Sequence, residues 1–372
     1  MVSSEDWYFI KESEDIDSPA LVIFRDRVEK NIRQMIKMVS GDTGRLMPHI
    51  KTYKIAEVIK MQMASGINRF KCATIAEAEL LGMSGTSNAL LAYQPSEVKL
   101  KRLVQLINAY PETRFSTLID NKSSAEMIDS FLGKKDLSLD VYIDINNGNN
   151  RTGINPDQAL DLYDYGLGLK AVNLKGLHIY DGHIRNADLG ERKKACERDF
   201  AQVTNLAVNL EKKYGIVPEI IACGSPTVPV HASNRRVICS PGTTLFWDAG
   251  YGSRFRDMPF LPSAVLVTRV VSSPAQGIFC LDLGHKSVAS ENSLENRVVF
   301  LNVSGLKPIG HSEEHLVVEN TDNLELNIGD VIYGLPYHIC PTTALYNEVA
   351  VVENQHIVGS WEVIARNRKI NY

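Results

Sequence analysis

The stretch Leu46-Met47-Pro48-His49-Ile50-Lys51-Thr52-Tyr53-Lys54 decides how the rest of the chain is interpreted. A short apolar run ends at the proline, and His49 and Lys51 then alternate on one side of an extended segment before a helix begins. We therefore interpret residues 46–51 as a strand with a lysine at its C-terminal end. Most lysines in such places are solvated, but a partly buried one loses its proton readily and can hold a carbonyl cofactor as a Schiff base.

The surrounding sequence alternates short β-rich runs with amphipathic helical segments from about residue 20 to residue 250. Alternation at this spacing predicts a parallel sheet. Eight units over roughly 230 residues favour a closed, TIM-like (β/α)8 barrel, and an open, doubly wound sheet is the structural alternative. The eight predicted strands are residues 46–51, 70–73, 89–93, 115–119, 137–145, 174–180, 219–223 and 236–240.

The sequence pattern changes after Asp257-Met258-Pro259. Short runs between residues 264 and 366 have the composition of strands separated by turns, and no helix of any length is predicted between them. The fold class is therefore predicted to be α/β, with a barrel over residues 19–254 followed by an all-β domain over residues 255–372. Residues 1–18 are expected to add a strand to that β domain.

Composition excludes several functional classes. The 372 residues are 44% hydrophobic and 23% charged, as in a globular protein, and the net charge of -4 gives no reason to expect nucleic acid or a membrane as a partner. No apolar run approaches the length of a bilayer span, and the acidic N-terminus lacks a signal-peptide core. Six scattered cysteines without a CxxC pair indicate reduced thiols and a cytoplasmic protein.

Functional groups of such a barrel lie at the C-terminal ends of its strands, and the loops after strands seven and eight often bind phosphate. Both of these loops contain glycine, where the backbone can approach a phosphate, together with hydroxyl side chains. The sequence therefore predicts one site in which a lysine faces phosphate-binding loops. The candidate residues that end or follow the predicted strands are Lys51, Arg151, Tyr180, His183, Gly224, Ser225, Thr227, Gly242 and Thr243.

The β domain contains a second candidate site, His338-Ile339-Cys340. If these residues form a strand, the imidazole of His338 and the thiol of Cys340 share one face and can bind one metal ion. Two protein ligands leave positions open for water and substrate, as in a catalytic site. Nitrogen and sulfur ligands favour zinc, with manganese as a less natural possibility, and ordinary packing of the two side chains is the alternative.

The segment Pro48-His49-Ile50-Lys51-Thr52 resembles the cofactor-lysine motif of the D-threonine aldolase/D-serine dehydratase family, whose members are alanine-racemase-like pyridoxal-phosphate enzymes. The resemblance covers nearly the whole chain. It includes the loop 147–153, Tyr180-Asp181-Gly182-His183, Gly224-Ser225-Pro226-Thr227, Pro241-Gly242-Thr243 and the segment 336–342. Family members commonly carry arginine at the position of Met47 and histidine at the position of Tyr53.

The resemblance implies a role for each candidate residue. Lys51 would bind pyridoxal 5'-phosphate covalently, Arg151 would contact the side of the ring hydroxyl, and Tyr180 would lie against the cofactor. His183 is a candidate acid or base. The loops at 224–227 and 242–243 would hold the phosphate, and His338 with Cys340 would bind the divalent metal.

The expected function is a lyase that cleaves a D-β-hydroxy-α-amino acid, similar to D-threonine, to glycine and an aldehyde. A D-serine dehydratase, which releases pyruvate and ammonia, would use the same residues. An amino-acid racemase would need a second acid or base and no metal, and a non-catalytic pyridoxal-phosphate carrier would resemble a lone barrel. The resemblance also implies a homodimer.

Overall fold

The computed structural model describes residues 5–372, which form two compact units. The barrel unit consists of Met35–Lys51, Ile59–Gly242 and Asn367–Tyr372. The β unit consists of the residues up to Gln34 together with Thr52–Val58 and Thr243–Arg366. Among the helices of the described chain, none is both long enough and apolar enough to cross a membrane.

The described residues form sixteen strands and ten α-helices. The strands are β1 (Ala20–Phe24), β2 (Arg69–Cys72), β3 (Asn88–Leu91), β4 (Arg114–Ile119), β5 (Leu139–Ile145), β6 (Val172–Ile179), β7 (Glu219–Ala222), β8 (Val237–Cys239), β9 (Ala264–Ala275), β10 (Ile278–Leu281), β11 (Val298–Phe300), β12 (Leu306–His311), β13 (Leu316–Asn320), β14 (Val331–Pro336), β15 (Glu348–Glu353) and β16 (His356–Glu362). The α-helices are α1 (Arg25–Met38), α2 (Ala56–Ala64), α3 (Ile75–Met83), α4 (Glu97–Ala109), α5 (Lys122–Gly133), α6 (Pro156–Leu167), α7 (Leu189–Tyr214), α8 (Val228–His231), α9 (Ala249–Arg254) and α10 (Ile339–Thr343).

Seven of these strands, β2 to β8, form one parallel sheet in chain order. The two edges of this sheet are both paired with the stretch that precedes Lys51. Leu46 forms a parallel bridge to Cys239 on β8, and His49 forms one to Lys71 on β2. Apolar side chains from around the ring pack inside it: Met47, Leu90, Leu118, Tyr142, Ile221 and Ile238. This architecture confirms the predicted fold class, an α/β barrel of parallel strands.

The prediction of a continuous strand over residues 46–51 is wrong. Only the two isolated bridges form, because Pro48 has no N–H to donate and the chain turns into a 3-10 helix at Ile50–Thr52. Backbone hydrogen bonds still hold the stretch on both sides. The Met47 amide donates to the Cys239 carbonyl at 2.9 Å, and the Lys71 amide donates to the Pro48 carbonyl at 2.9 Å.

The β unit is built on a nine-stranded sheet. Its centre is β9, which pairs with β1, β10 and β14, and all three pairings are antiparallel. β1 also pairs in parallel with β15. Aromatic and β-branched side chains fill the core beside it: Tyr8, Ile10, Ile16, Val22, Phe24, Val265, Val267, Tyr333 and Val352. An antiparallel domain thus follows the barrel, as predicted.

Two details of the β unit differ from the sequence-based expectation. The predicted boundaries place residues 19–24 in the barrel, but β1 pairs with β9 and β15. The absence of helices was also predicted, yet α10 occupies Ile339–Thr343. In the second case a five-residue helix is too short to produce a recognisable helical periodicity.

Asn31 supports a prediction about the stability of the β unit. Its buried amide donates to the carbonyls of Leu245, at 2.9 Å, and Leu261, at 2.7 Å, and accepts from the Leu261 amide at 2.9 Å. We expect Asn31→Ala to lower the free energy of unfolding by about 2 kcal/mol, because the Leu261 carbonyl and amide lose their hydrogen bonds to Asn31, whereas the Leu245 carbonyl still accepts from the Ser263 hydroxyl. Chemical denaturation would measure this. Asn327→Ala, at an exposed position of the same unit, should change stability by no more than about 0.5 kcal/mol, and an equal loss in both variants would contradict the prediction.

Candidate active site

Lys51 lies in the 3-10 turn Ile50–Thr52 and is half-buried. Its Nζ is 5.5 Å from the centre of the Tyr180 ring, and its backbone amide donates to Nδ1 of His49 at 3.2 Å. The predicted alternation of His49 and Lys51 along a strand is therefore wrong, since the chain has already turned at Lys51. The lysine nevertheless occupies the predicted place, directly after the stretch that closes the barrel.

The Tyr180 ring brings a second predicted residue to the same place. Tyr180 follows β6, and the guanidinium carbon of Arg151 lies 4.7 Å from the centre of its ring. Gly182 makes room for this ring, because a Cβ at that position would lie 2.4 Å from it. Lys51, Arg151 and Tyr180 come from widely separated parts of the sequence, and the barrel places two cationic groups around one aromatic ring.

The loops after β7 and β8 are joined by a hydrogen bond from the Gly242 amide to Oγ of Ser225, at 3.2 Å. In the first loop, Gly224 and Thr227 both donate to the buried carboxylate of Asp181. The predicted phosphate-binding residues of the barrel unit therefore form one connected group. Thr243 begins a 3-10 helix in the β unit, where its Oγ1 lies 3.6 Å from Sγ of Cys340.

His183 forms a pair with Asp199 on α7. Its Nε2 lies 2.9 Å from Oδ2 of Asp199, and its Nδ1 is buried without a hydrogen-bond partner. The carboxylate at Nε2 fixes the orientation of the imidazole and leaves Nδ1 as its second ring nitrogen. This geometry is suited to a base, the role expected for His183.

A buried polar chain inside the barrel was missed by the sequence-based reasoning. Nζ of Lys71 contacts Oγ of Ser240 and lies 3.5 Å from Nε2 of His178. His178 in turn pairs through Nδ1 with Asp144, at 2.7 Å. Burial keeps the pKa of His178 below its usual value, so the neutral ring donates to Asp144 and accepts from Lys71. A lysine in the middle of a buried parallel strand was the signal that could have revealed this chain.

Lys71 gives rise to a pH prediction. Burial, opposed by nearby acidic groups, lowers the pKa of its ammonium from 10.5 to about 8. Between these values the unfolded chain holds the proton and the folded chain does not, so this group makes folding more favourable as pH rises. Relative to Lys71→Met, the wild-type protein should therefore gain up to about 3 kcal/mol of unfolding free energy between pH 7 and pH 10.5.

Denaturant unfolding of both proteins at several pH values would measure this difference. Lys60→Met is the matched control, because Lys60 is exposed on α2. Its difference from wild type should stay constant with pH. A pH-independent difference for Lys71→Met as well would show that Lys71 keeps an ordinary pKa in the folded protein.

His338 and Cys340 do not share a strand, so that prediction is wrong. His338 is the N-terminal cap of α10, and Cys340 lies in its first turn. Nδ1 of His338 contacts the Glu291 carboxylate, and Sγ of Cys340 lies 3.1 Å from Oγ1 of Thr52. Burial opposes protonation of His338, but its hydrogen bond to Cys340, the charge of that residue and the contact with Glu291 raise its pKa to about 9.

The helix turn still keeps the imidazole and the thiol within hydrogen-bonding distance of each other. A carboxylate on Nδ1 orients an imidazole so that Nε2 can bind a metal, as is usual for histidine ligands. Within residues 5–372, the one group of three close metal-binding side chains is elsewhere, at Asp181, Cys196 and His231. The pair therefore offers two protein ligands, which is too few for a closed structural site.

Comparisons with known proteins match both units. Residues 23–249 match the model of the alanine racemase N-terminal domain, and residues 263–352 match that of a serine dehydratase domain. The D-threonine aldolase of Arthrobacter sp. is 26% identical over 94% of this chain and 93% of its own length. The D-threo-3-hydroxyaspartate dehydratase of Delftia sp. (strain HT23) is 24% identical over 93% of this chain and 97% of its own.

Solved structures give the same result. The crystal structure of D-threonine aldolase from Filomicrobium marinum superposes with a TM-score of 0.86 at 25% identity, over 95% of this chain and 96% of that one. Aldolases and dehydratases of this kind are lyases, which confirms the predicted enzyme class. Because the first model matches more than half of its length, the chain belongs to the alanine racemase N-terminal domain family.

Proposed function

We propose that the barrel unit binds pyridoxal 5'-phosphate through Lys51. The half-buried Nζ of Lys51 and the guanidinium of Arg151 lie around the ring of Tyr180. A flat aromatic cofactor with an anionic phosphate fits these groups. A Cβ on Gly224 would lie 3.4 Å from the Tyr180 ring, so the glycine keeps a space between the ring and the loop in which Gly224, Ser225 and Thr227 lie. The second proposed phosphate-binding loop, which follows β8, contains Gly242 and Thr243.

We also propose that His338 and Cys340 bind a divalent metal. The contact of Glu291 with Nδ1 of His338 leaves Nε2 as the ligand atom. Nitrogen and sulfur ligands favour zinc, and manganese is the second candidate. The homodimer and the cytoplasmic location stay predictions.

The proposed reaction is the cleavage of a D-β-hydroxy-α-amino acid, such as D-threonine, to glycine and an aldehyde. When bound, pyridoxal phosphate supplies an electron sink for the bond to Cα that breaks, and the metal supplies a Lewis acid for the β-hydroxyl. His183 would take the hydroxyl proton as the Cα–Cβ bond breaks, and Asp199 would hold the resulting imidazolium at Nε2. The ammonium group of Lys51 would then give a proton to Cα, which completes glycine. Arg151 and Tyr180 contact the bound cofactor and so fix the orientation of the substrate.

The placement of Lys51 and Arg151 around the Tyr180 ring is the observation that carries this proposal. Elimination of the β-hydroxyl is the second candidate, because relatives of similar identity include a dehydratase. In that reaction the Lys51 amine takes the Cα proton, and the hydroxyl leaves as water. The two reactions differ in which bond to Cα lies perpendicular to the cofactor ring.

Product analysis would decide between these reactions. The purified protein is supplied with pyridoxal phosphate and with zinc or manganese, and is then incubated with D-threonine, D-serine or their L forms. Acetaldehyde and glycine from D-threonine alone would support the proposal. Ammonia with a 2-oxo acid would support the dehydratase, and exchange at Cα without cleavage would support a racemase. Cofactor binding without any turnover would support a carrier.

A further inference from the structure

A buried carboxylate in the barrel unit has three hydrogen bonds that the proposed reaction does not use. Oδ1 of Asp181 accepts from the Gly224 amide and from Oγ1 of Thr227, both at 2.8 Å. Oδ2 accepts from Nε2 of His231 at 2.7 Å. The side chains of Asp181 and His231 are 1% and 5% exposed. All three donors belong to the segment that follows β7, so a single carboxylate holds the whole segment.

Each member of this pair favours the charged form of the other. Burial alone would raise the pKa of Asp181, but His231 and the donors from Gly224 and Thr227 keep it below its usual value. Burial alone would lower the pKa of His231, but Asp181 raises it. A buried ion pair whose remaining lone pairs are hydrogen-bonded keeps one geometry, because breaking either contact leaves a charge without a partner.

The loop that Asp181 and His231 hold has a backbone conformation that is costly in free energy. Cys223 adopts a left-handed conformation, with φ of 85°, and a 3-10 turn follows at Ser225–Thr227. A non-glycine residue in that region costs about 1–3 kcal/mol and persists where its surroundings hold it. Through Ser225, which accepts from the Gly242 amide, the same support reaches the loop after β8.

We propose that Asp181 and His231 are positioning residues that hold the loop 223–227 in the shape that binds the cofactor phosphate. This inference rests on the proposed binding of pyridoxal phosphate. Asp181 holds the loop by accepting hydrogen bonds from the Gly224 amide and the Thr227 hydroxyl. The pair does not touch the phosphate, which would meet the opposite side of the loop.

A metal ion is the alternative occupant of this place, since Cys196 lies within 4.8 Å of both residues. The hydrogen bonds argue against it. Both oxygens of Asp181 already accept from protein donors, and Nε2 of His231 donates. Burial raises the pKa of Cys196 to about 12, so its thiol keeps the proton that a metal ligand must lose. The cluster is therefore explained by its own hydrogen bonds.

Comparing pyridoxal 5'-phosphate with pyridoxal, which lacks the phosphate, tests the proposal. Dissociation constants of both compounds are measured by absorbance titration for wild type, Asp181→Ala, His231→Ala and His231→Gln. Asp181→Ala and His231→Ala should weaken pyridoxal phosphate about tenfold and change pyridoxal less than about twofold. His231→Gln, which keeps a donor toward Asp181, should fall between His231→Ala and wild type. If Asp181→Ala does not fold, the two His231 variants carry the test.

Asp144→Ala is the matched control, because Asp144 forms a buried pair with His178 outside the phosphate loop. It should leave the ratio of the two dissociation constants at its wild-type value. The proposal is overturned if Asp181→Ala and His231→Ala weaken both compounds alike, if they weaken neither, or if Asp144→Ala shifts the ratio equally. A wild-type protein that binds neither compound would refute the proposed function instead.

Discussion

Replacing Lys51 with alanine is expected to abolish both covalent cofactor binding and catalysis. The variant should show no visible absorption band of protein-bound cofactor, and D-threonine cleavage should fall by at least about four orders of magnitude. The physical reason is that, in the proposed function, the Nζ beside the Tyr180 ring is the nucleophile that attaches the cofactor. Absorbance spectra and single-turnover assays with added pyridoxal phosphate would measure the two effects.

Two further variants separate the covalent role of Lys51 from its charge. Lys51→Arg keeps a cation near the Tyr180 ring but cannot form the bond, so it should be as inactive as the alanine variant. Lys54→Ala changes a lysine three residues away and should retain the absorption band. An alanine variant at position 51 that keeps the band would show that another amine binds the cofactor.

Replacing His338 or Cys340 with alanine should remove the metal while leaving the cofactor bound. With only two protein ligands, the loss of one is expected to lower metal content to below about a tenth of an equivalent. D-threonine cleavage should fall on the order of a thousandfold. Elemental analysis of the dialysed protein and the absorption band would distinguish this loss from that of the Lys51 variants.

The β unit offers matched controls for this experiment. His356 is also a surface histidine whose Nδ1 is bonded to a carboxylate, that of Glu12 at 2.6 Å. Cys280 is another half-buried thiol, on β10. Alanine at either position should leave metal content and activity unchanged. Full metal content and full activity in both the His338 and Cys340 variants would show that the pair only packs within α10.

Much of the barrel could be predicted because its signals are local. Apolar runs of four to eight residues alternate with amphipathic helices, and this pattern needs no knowledge of long-range contacts. The same rule placed Lys51, Arg151 and Tyr180 at the ends of their strands, where the structure brings them together. The predicted barrel domain included β1, which pairs with β9 and β15 instead, because a strand buried on both faces before a helix looks the same in either unit.

The polar interior could not be predicted from such patterns. Lys71 and His178 are 107 positions apart, and Asp181 and His231 are 50 apart. A lysine in a buried strand marks Lys71 as unusual, but nothing in the sequence near either partner indicates the other, so the pairings could not be predicted. The His338-Ile339-Cys340 segment failed for a different reason. Three residues satisfy the two-residue period of a strand and the start of a helix equally well.

The two bridges at Leu46 and His49 have a thermodynamic consequence for the barrel unit. They join the two edges of the sheet by single bridges, whereas β2 to β8 pair along several residues, and Lys51 follows this join after a single residue. A cofactor bonded to Lys51 and also bound by the loops after β7 and β8 would therefore connect the two sides of this join. Part of the free energy of cofactor binding would then add to the free energy that is needed to open the barrel at this join. If the cofactor binds as proposed, its affinity and the stability of the closed barrel are linked.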